Sequence, residues 1–139
     1  MLTSRQIALV QSSFVHVLPL TDIAAAAFYR ELFRRAPETQ ALFKGDMAEQ
    51  GRKLFLTLSF VVDALDRPGK IVPVAQELAL RHVRYGAEPR HYAVVGAALI
   101  ETLRAGLGDG FDAATEEAWR AAYAMLSGAM LAALDKAAA

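Results

Sequence analysis

Cysteine is absent from the 139 residues, which removes disulfides, thiolate metal sites, thiol nucleophiles and any cofactor attachment through sulfur. An excess charge is missing too. Fifteen basic residues balance fifteen acidic ones, so no long-range field draws nucleic acid or anionic lipid. Strand signals are nearly lacking: there is no sustained apolar–polar alternation and no Asn-Gly or Asp-Gly hairpin between β-branched runs. Long hydrophobic runs are lacking as well. The longest run free of charged residues and histidine, Ala121 to Leu134, has 14 residues, short of the roughly 18–20 that span a bilayer. The N-terminal "MLTSRQIALVQSSF" is broken by Arg5 and Gln6, unlike a signal-peptide core. These absences imply a cytoplasmic protein with neither membrane nor nucleic acid as partner.

Apolar residues are plentiful, 55% of the chain, enough to bury one core. Ile7, Val10, Phe14 and Val17 have helical spacing, and Pro19 ends their helix. Thr21 or Asp22 is expected to cap a second helix with Phe28, Tyr29, Leu32 and Phe33 on a broad apolar face. Pro37 stops it or opens a short turn reaching Phe43. The polar "KGDMAEQ" precedes a long helix to about Leu65, with Gln50, Leu54, Leu58 and Val61 on one face. "DRPGK" reads as a turn, and Pro73 as the first turn of a helix on which Val74, Leu78 and His82 share a side. Gly86 and Pro89 precede a helix over about Arg90–Leu107. Asp112 or Thr115 starts a last one containing Trp119, Tyr123, Met130 and Leu134. The prediction is one all-α domain spanning 1–139, with about seven helices of unequal length in an irregular bundle.

Three histidines are candidates for chemistry. His16 sits on the first helix beside Val15 and Val17, with no evident polar partner. His91 follows Pro89-Arg90 at a helix start, where solvent or a local cap would occupy it. His82 lies behind Ile71, Val74, Ala75 and Leu78, an apolar side on which an imidazole needs a partner. Without a His-x-x-x-His pair or cysteines, zinc is a poor candidate. One imidazole suffices where a macrocycle supplies four other metal ligands.

The residues "FYRELFRRAPETQALF", Gln50, "LALRHVRYG", "HYAVVG" and "AWRAAY", in that order, resemble the bacterial single-domain haemoglobins of the globin family. Gln50 follows Phe43 by seven residues and His82 follows Gln50 by 32. The resemblance implies a globin fold around non-covalent haem b, with His82 as the proximal iron ligand and Phe43 wedged against the haem. It implies Tyr29 and Gln50 as the distal pair facing a bound gas, and Leu54 as the apolar wall one turn beyond Gln50. Leu78, Tyr85 and Tyr92 fall at cofactor contacts. Arg81, then Lys53 and Arg52, are the cations available to the propionates. In the bacterial members a last-helix carboxylate joins the tyrosine and the proximal histidine. Here that position is Leu134, with Asp135 one place off, so the resemblance favours oxygen binding over peroxide cleavage.

Those roles imply an open, five-coordinate ferrous haem that binds O2 reversibly, with CO and NO as further ligands. A nitric oxide dioxygenase served by a separate reductase is the alternative, because no reductase follows Ala139 on this chain. A gas sensor, or a helical interaction module with an ordinary core, are the remaining readings.

Overall fold

Thr3 starts the first helix by a reciprocal cap: its hydroxyl accepts from the Gln6 amide, and the Gln6 side chain accepts from the Thr3 amide. Two otherwise unpaired donors are thereby satisfied. The structure, a computed structural model, describes residues 2–138 and is helical nearly throughout. Helices α1 (Ser4–Val17), α2 (Thr21–Arg35), α3 (Met47–Asp63), α4 (Pro68–Arg84), α5 (Pro89–Leu107) and α6 (Ala113–Ala138) follow in order. Single 3-10 turns occupy Leu18–Leu20, Pro37–Leu42 and Gly108–Gly110. The seventh expected element is the 3-10 turn at Pro37, so among the described residues there are six α-helices.

Prolines set three starts. Pro37, Pro68 and Pro89 each open a helical segment, where the missing N–H costs nothing and the fixed φ suits the first turn. The fourth helix corrects the sequence reading. It begins at Pro68, inside the expected turn, and Pro73 lies within it. Pro68 and Pro73 are close enough that Pro73 removes a hydrogen bond only from the second turn, where the loss is small beside the apolar face that α4 buries. One cap also differs from expectation, and the last helix takes the first of its two expected starts. No side chain caps α2; the Thr21 hydroxyl donates to the Leu18 carbonyl instead. The Asp112 carboxylate, and not Thr115, caps α6 by accepting from the Thr115 amide at 2.9 Å.

Ser4–Arg35 taken as one stretch is long and apolar enough to cross a membrane, with a mean hydropathy of 1.4 in its most apolar part. The turn at Pro19 divides it into helices of 14 and 15 residues, each short of the roughly 20 a span needs.

Packing decides where the site falls. Helix α6 rests on α4 and α1, and α2 rests on α5 and α3. Phe14 of α1 stacks on Phe55 of α3 at 6.2 Å and meets Trp119 of α6 at 5.9 Å. Buried Trp119 finds its hydrogen-bond acceptor in Ser13 at 2.8 Å, as an enclosed indole N–H must. Consecutive helices α3 and α4 thus lean on different neighbours, α3 on α2 and α1, and α4 on α6. Helices α3 and α4 scarcely touch each other.

Helices α2 and α3 approach closely because Gly51 has no side chain. A Cβ there would fall 2.7 Å from the Cβ of buried Ala25. Neither methyl can rotate away, so Gly51→Ala must push the helices apart. Overpacking of this kind costs about 1–3 kcal/mol, against about 1 kcal/mol of improved helix propensity. A lowered denaturation temperature is expected, and a variant at least as stable as the parent would contradict the close crossing.

Candidate functional site

The end of α4 fixes His82. Its Nδ1 lies 2.7 Å from the Leu78 carbonyl one turn back, so Nδ1 carries the proton and donates. That leaves the Nε2 lone pair unengaged, the arrangement found in metal-ligating histidines. Two further bonds end the helix: Ala87 N–H to the His82 carbonyl at 2.9 Å, and Gly86 N–H to the Val83 carbonyl at 3.0 Å. This paired closure requires a left-handed residue, supplied by Gly86 at φ 95°. His82 therefore sits in a turn held at both ends.

Beside His82 stand two tyrosines. The Tyr85 ring centre is 6.4 Å away and that of Tyr92, on α5, 6.3 Å. Tyr85 is exposed, whereas Tyr92 is buried with a hydroxyl that has no partner. No group among the described residues accepts from or donates to that hydroxyl. Instead the Tyr92 backbone carbonyl accepts from the Tyr123 hydroxyl of α6. Leu134 is half-buried and Asp135 exposed. Burial raises the phenols of Tyr92 and Tyr123 above the ordinary value, Tyr123 also through its closeness to Tyr92.

Helix α2 and the turn after it present an aromatic group. Tyr29 is edge-on to Phe43 at 5.1 Å and to Phe28 at 5.1 Å, and stacks on Phe33 at 6.0 Å. Phe33 in turn meets Phe43 at 5.5 Å. The Tyr29 hydroxyl makes no hydrogen bond among the described residues, although the residue is only 8% exposed. Gln50 and Leu54 lie one turn apart on α3 and are half-buried, as are Phe43 and Leu78. These apolar side chains pack on the core yet keep an open side.

Burial holds the Tyr29 phenol up at about 12, from an ordinary 10. It is therefore a neutral donor at physiological pH. The folded state keeps this proton longer than the unfolded chain does, so the stability linked to it is intact below pH 10 and is lost as pH rises through about 12. An ultraviolet phenolate titration should show an ionisation near pH 12 that Tyr29→Phe removes. Loss of a step near pH 10 instead would mean that Tyr29 is solvated.

Two of the three expected cations are engaged elsewhere. Arg81 pairs with Glu77 at 3.1 Å and Lys53 with Glu49 at 3.8 Å, each one helical turn away. Such exposed pairs contribute only about 0–1 kcal/mol, little enough for either cation to exchange its partner for another anion. His16 is exposed as a helix-surface residue. Of the two places expected for His91, solvent and a local cap, the structure gives the cap. It is 5% exposed, accepts from the Glu88 amide at 3.0 Å, and leaves Nε2 unpaired, 3.8 Å from Glu38. Arg90 binds the same Glu38 at 3.1 Å. The turn that delivers Phe43 is thus tied to the start of α5.

Sequence reasoning assigned no site role to Phe33, whose signal was its place one turn after Tyr29. The Glu38 tie had none, because its residues are 52 apart. Two shallow surface depressions, one at Leu18–Ile23 and one between α5 and α6 at Gly96 and Tyr123, include neither His82 nor Tyr29.

The donor set fits an iron porphyrin. Among the described residues no three His, Asp or Glu side chains come together, so His82 offers a metal a single neutral nitrogen. A flat apolar cofactor between α3 and α4 would cover the open sides of Leu54, Leu78 and Phe43. The unpartnered Tyr92 hydroxyl faces the same need for a polar neighbour.

A family model described as Globin matches residues 26–130. A flavohemoprotein of Vibrio cholerae is 31% identical over 134 residues, covering 91% of this chain and 33% of its own length. One of Bacillus subtilis is 25% identical over 134 residues, covering 94% and 34%. The chain spans about a third of the length of these curated relatives. Among solved structures, a bacterial globin from Campylobacter jejuni superposes with a TM-score of 0.83 at 22% identity, covering 96% of this chain and 97% of that one. An engineered carbene transferase, made from a candidate nitric oxide dioxygenase of Rhodothermus marinus, gives 0.84 at 27% identity, covering 99% and 94%.

Proposed function

This chain belongs to the globin family, and from that premise we propose that it holds haem b non-covalently and binds O2 reversibly. The observation that carries the reading is His82, whose Nδ1 is committed to Leu78 and whose Nε2 is free on a half-buried face. Haem supplies a ferrous iron that binds dioxygen and lends it partial negative charge. The remaining tasks fall to side chains.

His82 would hold the iron, oriented by the Leu78 carbonyl. Tyr29 and Gln50 would supply O–H and N–H donors to the charge on a bound gas. Leu54, Leu78 and Phe43 exclude water from the faces, which strengthens those hydrogen bonds. Arg81 and Lys53 are the cations within reach of propionates, and Tyr85 and Tyr92 border the cofactor edge. A neutral Gln50 amide is a poor iron ligand, so it would leave the iron free to take O2, CO or NO. Oxygen titration of the reduced, haem-loaded protein tests this: reversible uptake of one O2 per haem is expected, and rapid oxidation without a stable oxygenated spectrum would overturn it.

A second reading is favoured by the flavohemoprotein relatives, whose own length is about three times the matched part. In it the same pocket converts nitric oxide to nitrate, and a separate reductase returns the iron to the ferrous state. Stopped-flow mixing of the oxygenated protein with nitric oxide, with and without a flavin reductase, separates the two. Sustained turnover only with reductase favours the enzyme, and a slow single turnover favours oxygen binding.

A further inference from the structure

The oxidisable aromatics of this chain divide by burial. Trp119 is 2% exposed, with its N–H bound to Ser13. Tyr29 and Tyr92 are enclosed, and the Tyr123 hydroxyl is bound to the Tyr92 carbonyl. Tyr85 alone among the described tyrosines is open, 62% exposed. It is also the residue that caps α4, its ring centre 6.4 Å from that of His82. One side of Tyr85 thus lies beside the proposed iron ligand, and the other lies in water.

Resting on the haem reading above, we propose that Tyr85 is the site of peroxide-driven self-oxidation, and that the product is a dityrosine joining two copies of the chain. Oxidising a phenol at neutral pH removes an electron and a proton together, so the phenol needs an electron acceptor nearby and a proton acceptor in contact. Tyr92 is as near to His82 as Tyr85 is, yet its enclosed hydroxyl has no partner to take a proton. Tyr123 points at a backbone carbonyl, which is a very weak base. Tyr29 lies in an aromatic enclosure that disfavours losing its proton. Tyr85 releases its proton to water.

The electrons balance with hydrogen peroxide as the oxidant and haem as the relay. One peroxide takes two electrons and two protons and becomes two waters. Two Tyr85 side chains each give one electron and one proton and become phenoxyl radicals. The radicals join through ring carbons ortho to oxygen, and the hydrogen on each joined carbon moves to oxygen, restoring two phenols. Only an exposed ring can meet its counterpart on a second molecule, so exposure selects Tyr85 for the coupling as well.

The test uses the haem-loaded full chain, with its Soret band recorded before hydrogen peroxide is added. Covalent dimer is read on a denaturing gel, dityrosine by its blue fluorescence, and the joined peptides by mass spectrometry, with yields expressed per haem bound. The expected result is a dimer linked Tyr85 to Tyr85, lost in Tyr85→Phe and absent when peroxide is added to haem-free protein. An intact Soret band with no dimer overturns the proposal while leaving the haem reading standing. So does a dimer that survives Tyr85→Phe or maps to another residue. Failure to acquire a Soret band overturns the haem reading, and this proposal with it.

Discussion

Replacing His82 by alanine is expected to strip the protein of haem, so that gel filtration separates the cofactor from a still helical chain. The size of the effect follows from the arrangement around the ring. Among the described residues no acidic or histidine cluster can substitute as ligand, and the remaining hold on the cofactor is apolar contact with surface ion pairs of small value. The fold should survive, because His82 is half-buried and its one hydrogen bond is to its own helix. Added imidazole should restore part of the haem spectrum by entering the vacated space. His16→Ala, on the exposed side of α1, is the matched control and should retain haem fully. Unchanged haem retention in His82→Ala would remove the proximal assignment.

Tyr29→Phe is expected to speed oxygen release by about ten- to a hundredfold, the equivalent of a hydrogen bond of about 1.5–3 kcal/mol to a charged acceptor. The aromatic packing with Phe28, Phe33 and Phe43 is retained in this variant, so the change isolates the hydroxyl. Carbon monoxide carries less charge, and its release should change much less. That contrast separates a lost hydrogen bond from a widened pocket, which would alter both gases together. Equal effects on both, or none, would mean that the hydroxyl does not face the ligand.

Much of this was legible in the sequence because prolines and helical spacing act locally. Pro19, Pro37 and Pro89 mark real breaks, and Val74, Leu78 and His82 do share a half-buried side of α4. The roles given to His82, Tyr29, Gln50 and Phe43 came from the resemblance to bacterial haemoglobins along the chain, since each alone suits an ordinary core residue. The start of α4 was misplaced because "DRPG" carries turn chemistry, while in the fold Pro68 serves as the first helical residue. Contacts across the fold left no local trace. Arg90 at the start of α5 reaches Glu38, 52 residues earlier, and the Tyr123 hydroxyl reaches a carbonyl 31 residues away. The exposure of Tyr85 is equally a product of where α4 ends, which no spacing reveals.

The most direct measurement is the absorption spectrum of the purified protein after haem loading and reduction, before and after carbon monoxide. A retained Soret band with the broad visible profile of five-coordinate, high-spin ferrous iron is expected, shifting sharply when the gas is added. A protein that keeps no Soret band, or a reduced spectrum that is already low-spin and six-coordinate, would contradict an open iron held by His82 beneath Tyr29 and Gln50.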